Sequence, residues 1–537
     1  MRNAEIAAAL DELGTLYELD GAVRYRVNAY HDAARTVRES PVSVEELART
    51  GRATELAGIG KTLQEKIVTL LDTGEIPSAV KLKKKFPPTL IAVTRVPGLG
   101  AKTARRLFDE LEVASLEDLQ AAAEAQQIRD LKGLGPKVEE SILASLEAMK
   151  DVDEAAAGRL LLSDVLPVAE ELAAALREHP AAHRVEVAGS ARRRTETCKD
   201  IDLIATAEDP QALSEHLATH PLISAAGSPG PNGTRALTHN GIPVDLRIVA
   251  PDAFGNLLQH FTGSATHNVQ LREGTGELRA AREGELPELV ELGDLRGDLH
   301  SHTTLSDGKN TLEEMADAAR ERRYSYLAIT DHSATHGFGD DVSAARLWER
   351  IEEVHTLDAK LPRFHLLAGS EINIGTDGSL DYPEDLVAAL DWVIASVHTS
   401  FSNDEKLMTG RVLEAIENPL VDCIGHLTGR MLLRREPYPI NVELVAQAAA
   451  RTGTMLEING NPNRRDLSER HARLAAEAGA MIVLNTDAHR VSTLDNMQYG
   501  LATARRAWLT KDQIANTRGW REFARLRKRT RQRSRKG

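Results

Sequence analysis

Cysteine is nearly absent: the chain holds two, Cys198 and Cys423, in 537 residues. That excludes a disulfide framework and a thiolate zinc site within one chain, so any metal centre must be built from imidazole and carboxylate. Long apolar runs are missing too. No uncharged stretch approaches the roughly 20 residues of a membrane span, and the opening MRNAEIAAALDELG carries acids where a signal peptide is basic and then apolar. A cytoplasmic, monomeric protein with no membrane partner is expected. Aromatics are only 4%, yet 42% hydrophobic and 27% charged residues are ordinary globular usage and exclude global disorder. At about 150 residues per domain, the length predicts three or four domains. A net positive charge is the last absence: 80 acids against 66 Lys plus Arg give −14, which argues against a polyanionic partner.

The local charge reverses that inference. Residues 51–107 hold 11 Lys plus Arg against 4 acids, while residues 296–520 hold 24 against 33. The last 17 residues add nine basic side chains and one acid, read as a solvated tail that could tether nucleic acid weakly.

Three segments repeat one pattern: LAGIGKTLQEKIVTL, VPGLGAKTARRLFDE and LKGLGPKVEESILAS. Each places an apolar residue, Gly-x-Gly and an amphipathic helical run in order, at Gly58 and Gly60, Gly98 and Gly100, and Gly133 and Gly135. Glycine lets a ligand backbone come close, and the helix N-terminus behind it offers unpaired N–H groups to phosphate. Such contacts hold DNA without reading bases. The segments resemble helix-hairpin-helix motifs. GIGKT ends like a Walker A loop, but the upstream glycine position is Glu55, which excludes that reading. Lys66 is a candidate phosphate contact or Schiff-base amine.

Between Val185 and Thr206, Asp200 and Asp202 lie two apart in an apolar alternation that predicts a strand with both carboxylates on one face, a donor pair suited to Mg²⁺ or Mn²⁺. The turn signal Asn240-Gly241 precedes a strand that carries Asp245 towards the same site, and three such acids can build a two-metal centre. Gly189 and Ser190, followed by Arg192, Arg193 and Arg194, supply a tight turn and guanidinium forks for a triphosphate.

With GSARR, DID, VDL and LLQHFTGSATHNVQLR in this order, residues 1–272 resemble bacterial family X DNA polymerases, relatives of eukaryotic polymerase beta. The resemblance implies that Asp200, Asp202 and Asp245 ligate the catalytic metals, with Asp245 activating the primer 3′-hydroxyl. It also implies that Gly189, Ser190 and Arg193 hold the triphosphate, and that Phe261, Gly263, Asn268 and Arg272 begin the thumb that meets nucleotide and template. Lys66 falls at the family's lyase position, with Thr62 where the helper lysine stands. The chain then departs from the family: only 25 residues separate Arg272 from Asp298, too few for a thumb of several strands and helices. Most of that subdomain is expected to be missing.

From Leu295, short apolar strands alternate with helical stretches, as in a parallel α/β barrel. Seven strand ends read GDLHSHTTLSD, AITDHS, AGSEINI, ASVHTS, CIGHLTG, LEINGNP and LNTDAH. Functional groups collect at such ends. Nine candidate ligands lie there: His300, His302, Asp307, His332, Glu371, His398, His426, Asp487 and His489. The donor set suits Mn²⁺, Zn²⁺ or Fe²⁺, in up to three sites. This half resembles the PHP (polymerase and histidinol phosphatase) domain. By that analogy one metal takes His300, His302, Glu371 and Asp487, a second Glu371, His398 and His426, and a third Asp307, His332 and His489. In polymerase X chains the domain implies 3′–5′ exonuclease activity. Asp331, Arg430, Asn459 and Asn461 are neighbours that could bind phosphate or orient ligands.

The expected fold is multidomain: α-helical helix-hairpin-helix regions at 1–85 (8-kDa-like) and 86–157 (fingers), an α/β nucleotidyltransferase palm at 158–260, and a truncated thumb and linker at 261–292. A distorted (β/α)7 PHP barrel at 293–520 and a basic tail at 521–537 complete it. The expected function is DNA repair on gapped or nicked DNA with 3′-end processing by the PHP metals. Deoxynucleoside triphosphates are further partners if the palm polymerises. The alternatives are a fully active gap-filling polymerase, a DNA-binding scaffold with a degenerate palm and, last, a small-molecule phosphatase.

Overall fold

The computed structural model describes residues 1, 3–40, 42–94, 96, 99–131, 133–136, 138–140, 142–143, 146, 158–264, 267–268, 281–284, 286–335, 341–401 and 403–528. The chain forms two units: Met1–Arg193 with Thr197–Val269, and Arg194–Glu196 with Gln270–Gly537.

The first unit begins with helices. Asn3–Leu19 and Arg24–Glu39 are joined by a tight turn at Gly21, whose φ of 78° favours glycine. Ile6, Leu10, Leu13 and Tyr17 recur at helical spacing and are buried. Ser43 and Ser115 cap Val44–Arg49 and Leu116–Glu124 through the amides of Glu46 and Asp118. One hydrophobic core runs from Ile6 to Leu146, through Ile67, Leu90 and Leu107, across the boundary expected at residue 85.

A five-stranded sheet follows, in the order Ala182–Val187, Ile201–Ala207, Pro243–Ile248, Gly233–Thr238, Ile223–Ala226. Its strands are antiparallel except for the central pair, Ile201–Ala207 with Pro243–Ile248, which is parallel and aligns Asp202 with Asp245. The turn at Asn240-Gly241 forms as expected, with Gly241 at φ 82°. Helices Leu162–Glu178, Pro210–Ala218 and Phe254–Thr262 accompany the sheet.

In the second unit, seven parallel strands pair in chain order: Gly297–Asp298, Tyr326–Ile329, His365–Asn373, Trp392–Ser396, Cys423–Ile424, Met455–Asn459 and Ile482–Asn485. A bridge between Ser301 and Ala488 links the ends of the first and last strands, so the sheet nearly closes. Alternation divides the strand residues. Tyr326, Leu367, Trp392, Cys423 and Met455 form one core, and Leu327, Leu366, Val393, Ile424 and Leu456 form another with the flanking helices.

Residues 521–528 correct the expected tail. Trp520–Leu526 is a helix whose buried Phe523 stacks on Tyr326 at 4.7 Å between ring centres. Lys528, only 4% exposed, donates to the carbonyls of Ile416 and Asn418 at 2.6 and 2.8 Å. The barrel domain thus extends at least to Lys528; apolar residues among the basic ones pack this segment down. Residues 529–537 lie outside the described residues.

Candidate functional site

The three glycine hairpins share one backbone pattern. Leu56, Val96 and Leu131 carbonyls accept from the amides of Ile59, Leu99 and Leu134 at 3.1, 2.9 and 2.9 Å. Gly60 and Gly100 then precede the helices Lys61–Thr73 and Ala101–Leu111. Gly58 and Gly133 need glycine for their φ of 79° and 85°. Gly60 and Gly100 do not: their φ is −85° and −78°, and among the described residues a Cβ there would meet nothing within 4 Å. Gly135 is equally open, without positive φ. Among the described residues, neither a positive φ nor a neighbour within 4 Å accounts for glycine at these three positions. Gly98 lies outside the described residues. Lys66 Nζ donates to Ser78 Oγ at 3.1 Å.

The parallel strand pair brings the three acids Asp200, Asp202 and Asp245 to one end of the sheet. Asp202 faces Asp245 across the parallel pair, with Asp200 immediately before the same strand. Burial, then the charges of Asp200 and Asp245, push the Asp202 pKa up to about 6. Asp245 Oδ2 lies 2.8 Å from Arg247 Nη2. Gly189 starts the one-turn helix Gly189–Arg192 at φ 62°, and a Cβ there would run into the Asp202 carboxylate. Ser190 lies in the same turn, and Arg193 at its end donates to the Thr262 carbonyl. Phe261 packs against the cluster of Ala188, Ile204 and Phe254, and Gly263 ends its helix at φ 55°. Asn268 Nδ2 donates to the His260 carbonyl at 2.8 Å. Arg272 lies outside the described residues.

At the barrel mouth the strand ends bring the nine expected ligands together around Glu371. Its Oε1 lies 2.8 Å from His426 Nε2 and 3.2 Å from His398 Nε2. Its Oε2 lies 2.9 Å from His332 Nδ1 and 3.3 Å from His300 Nε2. Asp487 Oδ1 is 3.1 Å from His302 Nε2. Asp307 reaches His489 Nε2 at 3.1 Å and His332 Nε2 at 3.6 Å. Three groups have ligand atoms within 4.8 Å of one another: His300, His302 and Asp487; His332, Glu371 and His398; and His302, Asp307, His332 and His489.

The donors fit divalent cations. Among the described residues His300 Nε2, His302 Nδ1, His426 Nδ1 and Glu371 Oε2 are buried without a hydrogen-bond partner, and His300 Nε2 and Glu371 Oε2 lie 3.3 Å apart, where one ion could be held by both. Burial opposes ionisation of Glu371, but His398, His300 and His332 outweigh it and hold the carboxyl well below its usual range. For His300, burial is outweighed by Glu457, Glu371 and Asp487, and its pKa rises well above the usual value. His302, where burial and the neighbouring His489 and His332 dominate, falls to about 4.

Glu457 was not among the expected residues. Fully buried in the strand Met455–Asn459, it accepts from His300 Nδ1 at 2.8 Å, the His426 amide at 2.7 Å and Asn485 Nδ2 at 2.9 Å. The signal was present in LEIN, an acid alternating with apolar residues in a buried strand. Asn459 Nδ2 donates to Asp487 Oδ2 at 3.1 Å. Asp331 accepts from the Thr303 amide at 2.7 Å and Ser306 Oγ at 2.9 Å, bracing the loop between His302 and Asp307. Asn461 closes a local turn through the Asn463 amide at 3.1 Å, and Arg430 is engaged by Glu196 at 2.5 Å.

Known proteins match this architecture from end to end. The helix-hairpin-helix domain family matches residues 1–76, the SAM-like helix-hairpin-helix tandem residues 90–148, and the PHP domain residues 298–461. The chain is 33% identical to a DNA polymerase/3′-5′ exonuclease PolX of Bacillus subtilis (strain 168), over 96% of this chain and 98% of the relative. The chain belongs to the bacterial family X DNA polymerases with a PHP domain. A member of this family is an enzyme with a nucleotidyltransferase and a phosphoesterase part. Probable phosphatases of Thermoanaerobacter sp. (strain X514) and Shewanella sediminis are 33% and 29% identical, each over 41% of this chain and 89% and 88% of their own length. The family's divalent-metal chemistry agrees with the three ligand groups at the barrel mouth. Among the described residues no helix is long and apolar enough to cross a membrane.

Proposed function

We propose that this family X enzyme holds gapped or nicked DNA through its glycine hairpins and removes nucleotides from 3′ ends at the PHP cluster. The observation that carries this reading is the cluster of nine imidazole and carboxylate groups with Glu371 at its centre, in which buried atoms of His300, His302 and Glu371 have no hydrogen-bond partner among the described residues. Divalent cations at such a site acidify water and screen the charge of a phosphodiester. Manganese, zinc and iron all suit the donors, in up to three sites. His300, His302, Glu371 and Asp487 would hold one ion, Glu371, His398 and His426 a second, and Asp307, His332 and His489 a third. Glu457, Asn459 and Asp331 fix these ligands before substrate arrives, and burial of His300, His302 and Glu371 excludes bulk water.

In the palm, Asp200, Asp202 and Asp245 would take two Mg²⁺ or Mn²⁺ ions, with Gly189, Ser190 and Arg193 on the triphosphate and Phe261, Gly263, Asn268 and Arg272 towards sugar and template. Gap filling is the second reading, favoured by the Asp202–Asp245 register and the clearance that Gly189 leaves beside it. A short thumb weakens it. The Bacillus relative aligns over 565 positions, more than this chain has residues, so it carries segments without a counterpart here. The domain boundaries given above belong to this proposal, with the barrel extended to Lys528.

One labelled primer on gapped DNA with Mn²⁺, with and without nucleotides, tests both parts. Shortening abolished by His300→Ala/His302→Ala but retained by Asp200→Ala/Asp202→Ala supports the nuclease. Shortening that survives the histidine change refutes it. Efficient extension lost only with the palm change would establish the gap-filling polymerase, and DNA binding without either reaction the scaffold.

A further inference from the structure

Between the strand Met455–Asn459 and the helix Glu469–Glu477, a loop at the barrel mouth is pinned on both sides. The Leu432 amide donates to the Asn463 carbonyl at 2.6 Å, and the Arg464 amide to the Asn461 carbonyl at 2.8 Å. Arg465, 1% exposed, donates to Thr503 Oγ1 at 3.0 Å. Arg464 differs from its neighbours. Its side chain is only 19% exposed, yet among the described residues its guanidinium makes no hydrogen bond. The nearest anion is Asp487, 3.6 Å from Nε to Oδ2, beyond hydrogen-bond length.

Asp487 cannot serve Arg464 fully. Its Oδ1 faces His302 Nε2 at 3.1 Å and His300 Nε2 at 3.5 Å, and its Oδ2 accepts from Asn459. Once its charge is shared with a cation, little is left for a guanidinium. A second cation stands close. Arg435 lies over the Phe401 ring at 4.4 Å and donates to the Gly429 carbonyl at 2.9 and 2.6 Å. Burial and then the Arg464 charge lower its pKa, which puts the two guanidiniums within electrostatic reach of each other. Arg435 is engaged by backbone; Arg464 keeps its donors. A half-buried fork without its own anion, on a fixed loop beside a ligand of the metal cluster, complements the paired oxygens of a phosphate.

We propose that Arg464 binds a non-bridging oxygen of the 3′-terminal phosphodiester at the PHP cluster, and so sets affinity for the DNA end. This rests on the nuclease reading above. Arg430, a residue that could have bound phosphate or oriented ligands, is already paired with Glu196, whereas Arg464 has no such close partner among the described residues.

Steady-state release of the 3′ nucleotide from a single-stranded, 5′-labelled oligonucleotide with Mn²⁺, by the full-length enzyme, tests the assignment. Arg464→Ala should raise KM about tenfold or more, the loss of one charge-assisted hydrogen bond, with kcat changed far less. Arg464→Lys should recover part of that loss. Manganese content and melting temperature of both variants should equal those of the wild type. Unchanged KM overturns the assignment, and so does lost manganese, which would make Arg464 a support for Asp487. Wild-type enzyme that releases no nucleotide overturns instead the reading on which the assignment rests.

Discussion

Glu457 Oε1 accepts a hydrogen bond from His300 Nδ1 at 2.8 Å, and this contact turns the other ring nitrogen of His300 towards Glu371. Glu457 is not one of the nine candidate ligands, yet by holding His300 Nδ1 it sets the tautomer and direction of one that is. Glu457→Gln keeps the volume and removes the charge. Mn²⁺ affinity should fall about 10- to 100-fold with little change in secondary structure. Titration of the metal-free protein followed by elemental analysis checks it; unchanged affinity would show that His300 needs no such partner.

The hairpin glycines separate a fold effect from a binding effect. Gly60→Ala and Gly100→Ala meet open space at ordinary φ, so melting temperature should hold while affinity for gapped DNA drops. Gly58→Ala, at φ 79°, should instead cost about 1 kcal/mol of stability. Fluorescence anisotropy across a salt series measures the affinity, which should weaken steeply with salt in the wild type.

Metal loading should depend on pH with a fixed sign. Burial is outweighed by Asp307 and Asp487 at His489, whose pKa rises to about 9, and the His300 pKa is also raised well above its usual value, by Glu457, Glu371 and Asp487. A cation must displace these protons, whereas Glu371 and Asp487 are already ionised. Apparent Mn²⁺ affinity should therefore climb between pH 6 and 8, about tenfold per pH unit for each proton displaced. It should level off once pH passes about 9. Calorimetry in buffers of different ionisation heat counts the protons.

Gly189→Ala tests the palm alone. The new methyl would collide with Asp202 at a φ of 62°, so triphosphate-dependent activity should be lost. Shortening of 3′ ends should continue at the wild-type rate in the same assay.

The ligands at the barrel mouth were legible because histidine and aspartate stand out at the ends of apolar strands, and parallel barrels gather those ends. The glycine hairpins were legible because they repeat. Glu457 was legible only as an acid set in the apolar strand LEIN; its role was not, because its partner His300 is 157 residues away in sequence. Arg464 was hidden in the same way, since its meaning depends on what Asp487 already binds. Residues 521–528 misled because their basic charges were counted, while the position of Phe523 against Tyr326 exists only after the barrel forms.

The central claim is that Glu371, reaching His300, His332, His398 and His426, would help hold the divalent cations that the proposed 3′-end hydrolysis requires. Glu371→Gln in the full-length enzyme, assayed for 3′ nucleotide release with Mn²⁺, tests it most directly. The account predicts a rate lowered more than about a hundredfold, since loss of a ligand should exceed loss of its support, with DNA binding retained. A variant that releases nucleotides at the wild-type rate would contradict it.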